Sequence, residues 1–348
     1  MSRKVDYLIA GQGLAGSLLS WFLLEAGKSV LVVDPDNPDT PSRIASGLMH
    51  PITGRRIVKT WMADIFLPFA RKTYNDIEDK CAARFFEDFP VLELFHDAGQ
   101  RNDWMGRSAD AGFSQYISDL CEHDQMPPGI RSQQGGIWCI NGGWVDSGRF
   151  LDAMRTHLQQ KGALLQDKID PDSPEFDHEG VFWKGIRASA LIDCTGSSAL
   201  NNPMLSSLPF NPCKGEMLWI RTEGLPKDKV IHSTVKLIPL GGFDYMVGAT
   251  YDFKKIDSIP TEEGRHELES ALRKIIDVPF TVVNHKAAIR PSTRDRRPIL
   301  CRHPQKERLY VFNGLGSKGY MMGPWLANQF SRHLLHGDPL PEGSCVFQ

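Results

Sequence analysis

The chain has 348 residues, of which 41% are hydrophobic and 24% charged, with a formal net charge of −2. That is ordinary globular composition, long enough for two domains or one elaborated domain; the near-neutral balance carries no footprint of nucleic acid or an anionic membrane, and weighs mildly against a polyanionic substrate. The seven cysteines are odd in number, scattered and without a CxxC pair, which predicts thiols in a reducing cytoplasm, no disulfide framework and no metal site.

Val5 to Ala10 is a short apolar run bounded by glycine, as expected for a buried parallel strand. Because a core strand starts so early, no signal peptide is expected, and the apolar stretch from Leu14 to Leu24 is too short to span a bilayer. Gly11, Gln12, Gly13, Leu14, Ala15 and Gly16 spell G-x-G-x-x-G and lead into a helix. Gly11 permits the tight turn, Gly13 lets backbone N–H groups approach a pyrophosphate, and Gly16 lets helix and strand pack closely. The helix N-terminus adds unpaired N–H groups and a positive dipole end. Ser29 to Val33 is the second strand, and Asp34 ends it eighteen residues after Gly16. A carboxylate there can accept from both ribose hydroxyls. The unit predicts an adenine dinucleotide and leaves open whether it is NAD or FAD.

A proline-rich loop, DPDNPDTPSR, closes this unit, followed by IASGLMHP at 44–51 and the basic stretch TGRRIVKTW. Asp64 to Lys80 reads as a helix with Ile65, Phe69 and Ile77 apolar, and 125–136 as a loop crossing between domains. Asp146 can cap a helix from Ser147 to Lys161 that Gly162 ends. Ala163 to Ile169 fits a further strand of the nucleotide domain, and ALIDCTG at 190–196 a strand ending in Thr-Gly. The character then changes. Lys214 to Thr222, Val230 to Pro239 and Phe243 to Thr250 suggest an antiparallel meander. Glu262 to Asp277 reads as an amphipathic helix with Leu268, Leu272 and Ile275/Ile276 on one side. The tail returns to a strand at Leu309 to Phe312, a glycine loop NGLGSKG, and a helix from Tyr320 to Leu335.

The tail also carries AAIRPSTRDRRPIL at 287–300 and VFNGLGSKGYMMGP at 311–324. Together with ALIDCTG and SGLMHP, in this order along most of the chain, these motifs resemble the D-amino-acid oxidase family of FAD-dependent oxidoreductases, nearest by motif to glycine oxidase and to the flavin domain of the bifunctional tRNA wobble-uridine modification enzyme. The resemblance implies an α/β (α+β overall) fold. A Rossmann-like FAD domain, at 1–75, 137–212 and 286–348, is interrupted by a mostly antiparallel substrate domain at 76–136 and 213–285. It implies non-covalent FAD, since no cysteine lies between 214 and 300 where sarcosine-oxidase relatives attach theirs. By the same resemblance Ser46, Gly47 and Leu48 run beside the isoalloxazine ring and Thr195–Gly196 passes near the dinucleotide. Gly314, Gly316, Ser317, Lys318, Gly319 and Tyr320 belong to a loop and helix start facing the flavin pyrimidine, where oriented N–H groups stabilise the charge of reduced flavin.

Arg290 matches the arginine that pairs with the substrate carboxylate in this family, a task suited to a forked guanidinium; the alternative is an ion pair with a carboxylate such as Asp295. Ser317, with Lys318 beside it, stands where glycine oxidase has a second carboxylate-contacting arginine. Lys236 stands where that enzyme has a pocket tyrosine. It either binds an acidic substrate or lies deprotonated near flavin N5, or it points to solvent from an edge strand. His50 is open to a role at the ring or substrate and to a structural one. Arg55, Arg56 and Lys59 either attract an anion or form a solvated loop, and Trp104, Trp138 and Trp144 fit the pocket mouth or the core equally. The expected reaction is oxidation of the C–N bond of a small carboxylated amine by hydride transfer to flavin N5, followed by imine hydrolysis, with O2, a quinone or another carrier as electron acceptor. Met246 stands where sarcosine oxidases have an oxygen-assisting lysine, which leaves oxidase and dehydrogenase both open. A modified tRNA wobble uridine is the alternative substrate, since its carboxymethylaminomethyl group is an N-substituted glycine, and flavin binding without amino-acid turnover is a third reading.

Overall fold

The computed structural model describes residues 3–53, 57–108 and 110–344; Arg55, Arg56 and Cys345 lie outside them. The first βαβ unit forms as its pattern dictates: strand Arg3–Ala10, helix Leu14–Glu25 and strand Val30–Asp34. Both strands are parallel neighbours in an eight-stranded sheet, with Leu164–Gln166 outside Val30–Asp34 and Ile186–Asp193 on the other flank of Arg3–Ala10. Strand Leu309–Asn313 joins Ile186–Asp193 in parallel, so the C-terminal tail completes the nucleotide sheet. The inner strands are largely buried, which is why they read as near-continuous apolar runs, whereas the edge strand Leu164–Gln166 is partly exposed. Helix Gly319–His336 packs against helix Leu14–Glu25 through small residues: a Cβ on Gly319 or Gly323 would lie 2.9 Å from Leu14 or Leu18.

A second eight-stranded sheet runs in the order Thr281–Arg290, Cys213–Arg221, Asp244–Gly248, Lys236–Gly241, Val230–His232, Val91–Leu94, Gly136–Cys139, Ile117–Cys121. Its pairings are antiparallel except Val230–His232 with Val91–Leu94. The expected meander is therefore present, with the Val230–Pro239 segment split into two strands by a turn at Ser233. The sheets cut across the expected boundaries at 136/137 and 285/286, because Gly136–Cys139 and the whole of Thr281–Arg290 pair in the second sheet.

Helix Ala63–Cys81 buries Phe66, Ala70, Tyr74 and Ile77, a stripe at helical spacing; Ile65, expected on the apolar side, is exposed and Phe69 half-buried, one position off that stripe. Helix Glu262–Leu272 is capped by the Thr261 hydroxyl, which accepts from the Gly264 N–H. It ends five residues before the expected Asp277, and Ile275 and Ile276 are buried in the turn that follows. Trp104 is core, Trp138 is half-buried in the second sheet, and Trp144 donates from Nε1 to Ser46 O at 2.9 Å. No disulfide joins the described cysteines. Among the described residues no helix is long and apolar enough to cross a membrane.

Candidate active site

A cleft of about 570 Å³ runs between the two sheets, from the turn after the first strand to Arg290. At its dinucleotide end Gly11 has φ +98°, and a Cβ there would meet Cys194 O at 2.7 Å. A Cβ on Gly16 would lie 1.9 Å from Gly11 O, so only glycine lets the helix close on the turn. Gly13, Leu14 and Ala15 line the cleft at the helix N-terminus, where Leu14 N donates to the Ser42 hydroxyl. Asp34 also lines it, and its carboxylate fastens the turn by accepting from Gln12 N at 2.8 Å while pairing with Arg155 at 3.4 Å. Thr195 and Gly196 form the opposite wall, held by Asp193, which accepts from both the Thr195 N–H and hydroxyl.

At the other end lie Ser46, Gly47 and Leu48. Gly47 has φ +65°, and a Cβ would sit 1.8 Å from Val145 O; with Trp144 on Ser46 O, this staples the loop to strand Gly143–Val145. Gly316, Ser317, Gly319 and Tyr320 line the facing wall, and the Tyr320 hydroxyl donates to Ser42 O. Gly314 (φ +72°) shapes the turn behind them. The cleft suits FAD in outline: a glycine cradle that Cβ atoms would fill at one end, and a helix N-terminus with a glycine loop at the other.

Arg290 reaches into this second end of the cleft. Its Nη1 donates to Thr250 O (3.2 Å) and Lys214 O (3.4 Å), and its guanidinium lies 4.5 Å from the Tyr251 ring centroid. Gly215 is what leaves room, since a Cβ there would fall 2.0 Å from Nη2. No ion pair among the described residues uses Arg290, so the Asp295 pairing weighed from the sequence is not formed. Lys236 lines the same end. Desolvation would raise the Tyr251 phenol, but the Lys236 and Arg290 charges and a hydrogen bond with Ser317 outweigh it and hold it below its ordinary value.

Two expected site residues turn away from the cleft. The Lys318 ammonium donates to His50 O at 3.0 Å and to the Thr60 hydroxyl, and desolvation together with the Lys236 charge pushes it down to about 7. The His50 ring is buried and its Nε2 meets Glu93 Oε1 at 2.6 Å, an oxygen shared with His232 Nδ1. Burial drives His50 down to about 4 against the pull of Glu93. These three residues place donor atoms within 4.8 Å of one another, a set with the composition of a divalent-metal site that the cysteine pattern had not predicted; one carboxylate oxygen engages both rings, while His50 Nδ1 is buried with no hydrogen-bond partner among the described residues. Lys59 pairs with Asp64 at 2.9 Å. Tyr251, Gly215 and Gly248 are among the cleft residues that the motifs did not indicate.

The family model described as "FAD dependent oxidoreductase" (DAO) matches residues 6–332. The tRNA 5-methylaminomethyl-2-thiouridine biosynthesis bifunctional protein MnmC of Marinobacter nauticus is 24% identical over 92% of this chain and 54% of its own length. Glycine oxidase of Bacillus subtilis is 29% identical over 48% of this chain and 44% of its own. The chain thus spans about half the length of the MnmC relatives it matches. Among solved structures, glycine oxidase from Geobacillus kaustophilus superposes with a TM-score of 0.81 at 17% identity, covering 97% of this chain and 96% of that one. Iminodiacetate oxidase from Chelativorans sp. BNC1 does so with 0.78 at 20%, covering 96% of each. At these identities the superpositions establish the fold, and with 6–332 of 348 residues matched, the chain belongs to the DAO family of FAD-dependent oxidoreductases.

Proposed function

We propose that this chain oxidises the C–N bond of a small carboxylated amine. The observation that carries the reading is Arg290: a guanidinium confined between the Gly215 backbone and the Tyr251 ring, bonded to carbonyl oxygens and a thiol, and open to the flavin end of the cleft. A cation so placed lacks a carboxylate partner, and a substrate carboxylate supplies one with two parallel bonds. Fixing that carboxylate fixes the adjacent carbon, which is positioning catalysis. FAD supplies the two-electron acceptor when bound. The chain's own contribution is to hold the amine over the ring, with Leu48, Met217 and Ala288 shielding the site from water. Anaerobic mixing of the holoenzyme with glycine, sarcosine, iminodiacetate and D-amino acids should bleach the flavin absorbance with at least one of them. Readmitted oxygen with peroxide detection then separates oxidase from dehydrogenase. Bleaching by none of these amines would overturn the reading.

A second reading rests on the MnmC relatives, which match 92–100% of this chain. The reacting group would then be the carboxymethylaminomethyl side chain of a tRNA wobble uridine, presented to the same arginine. Loss of the carboxymethyl group from such a tRNA, with the steep salt dependence of phosphate contacts, would support it, and an unchanged nucleoside would remove it.

A further inference from the structure

The flavin end of the cleft holds more positive charge than one carboxylate needs. Met217 is paired with Gly248 and Gly248 with Lys236 across the second sheet, while Gly215 is paired with Ala288, two residues before Arg290. Side chains alternate along strands, so these six residues share one face, and all six line the cleft. Glycines at 215 and 248 leave room on this face for the Arg290 guanidinium and the Met217 thioether, which lie 2.0 and 2.1 Å from where a Cβ would stand. Two strands and an offset of four residues along them separate Lys236 from Arg290, a Cα span of about 20 Å at ordinary strand geometry, which the Arg290 guanidinium shortens by lying back over Gly215 and the Lys236 side chain from the other end. Tyr251 lines the same end, its ring centroid 4.5 Å from the Arg290 guanidinium, and both charges act on its phenol.

Neighbouring charges are accounted for. Lys286, paired with Met217 and so on the same face, is neutralised by Asp39 at 2.7 Å. Glu93, the nearby carboxylate, is committed to His50 and His232. Lys318 turns out of the cleft onto His50 O and the Thr60 hydroxyl, where desolvation and the Lys236 charge hold it down. Among the described residues no hydrogen bond or ion pair engages the Lys236 ammonium, and Arg290 has no acidic partner. Both cations are half-buried, and a ligand that fills the cleft would strip them of water, a cost that counter-charges on the ligand offset.

Resting on the amine-oxidation reading above, we propose that the substrate is an amine carrying two carboxylates, one held by Arg290 beside the oxidised carbon and the other by Lys236. The holoenzyme is titrated anaerobically with acetate, butyrate, malonate, succinate and glutarate, reading the shift of the flavin band, and flavin reduction is compared between sarcosine and iminodiacetate. The best dicarboxylate should bind at least tenfold more tightly than either monocarboxylate, and iminodiacetate should exceed sarcosine in reduction efficiency by a similar factor. Lys236→Met, with Lys236→Gln as a second variant, should lower the dicarboxylate-to-monocarboxylate binding ratio at least tenfold, and Lys236→Arg should retain it. A wild-type ratio near one, or a ratio unmoved in both neutral variants, would overturn the proposal. If no amine bleaches the flavin, amine oxidation is what fails, and the binding ratio still decides the second carboxylate site.

Discussion

Arg290 can lie across the second sheet because residue 215 has no side chain. A methyl at that position would sit 2.0 Å from Nη2, and the flexible guanidinium rather than the strand would give way. Gly215→Ala should therefore leave folding intact and lower kcat/KM for the best carboxylated amine, as Arg290→Ala should. For Arg290→Ala the loss should be about 2–5 kcal/mol, the cost of truncating one side of a buried charge pair, or roughly 30- to 4,000-fold in steady-state kinetics. Wild-type efficiency in either variant would take the guanidinium out of substrate binding. His50 carries a different expectation, in stability. Burial pushes its imidazole down to about 4, against the hydrogen bond and charge of Glu93, whereas an unfolded imidazole protonates near its ordinary 6.5. Between those values the unfolded chain binds a proton that the folded chain does not, so stability present above pH 6.5 is lost as the pH falls toward 4. Burial would raise the Glu93 carboxyl, but His232 and His50 outweigh it and hold it far below its usual range; its contribution is likewise lost in acid, at lower pH. Urea midpoints measured from pH 7 to 4.5 should fall less steeply in His50→Gln than in the wild type.

The elements around the flavin end are held by a few local devices. Helix Ser147–Gln160 starts at Asp146, whose carboxylate accepts from Arg149 N at 3.0 Å, and the Ser147 hydroxyl donates to Arg43 O and Ala45 O of the loop leading to Ser46. Asp146→Ala should cost about 1 kcal/mol of stability, the usual worth of such a cap, read as a lower urea midpoint. Gly47→Ala should act on the cofactor instead. With φ +65° and Val145 O 1.8 Å from the added carbon, the loop must move, and FAD affinity should fall at least tenfold as followed by flavin fluorescence. Devices of this kind were legible because they are local: the glycine fingerprint, the Asp146 cap and the Gly162 stop each occupy a few consecutive residues. Arg290 was legible only through the family motif around it. Tyr251 and Gly215 were not, because their roles arise from which strands pair and in what register, with Cys213 set opposite Arg290. The same holds for His50, Glu93 and His232, separated by 43 and 139 residues and joined through one carboxylate oxygen. The early end of helix Glu262–Leu272 was hidden too, since Ile275 and Ile276 keep an apolar spacing after the backbone has turned.

On the scale of the whole molecule, the cleft is where the two sheets meet. Ala10, Val33 and Asp193 of the first sheet line it, as do Met217, Lys236 and Arg290 of the second. A dinucleotide that fills such a cleft touches both halves, so its binding free energy is distributed over both. A ligand that binds only the folded state stabilises it by RT ln(1 + [L]/Kd), about 2.7 kcal/mol at a hundred times Kd. Apoprotein prepared by removing FAD should therefore melt at a lower temperature than holoenzyme, and Tm should keep rising with added FAD beyond saturation. Because both sheets form the walls, calorimetry should show one transition moving as a unit. Two transitions, of which FAD shifts only one, would mean that the cofactor is held by the first sheet alone. The Gly47→Ala variant provides the internal control: its apoprotein should show how much the altered loop costs by itself, and any further loss of FAD-dependent Tm shift reports what that loop contributes to FAD binding.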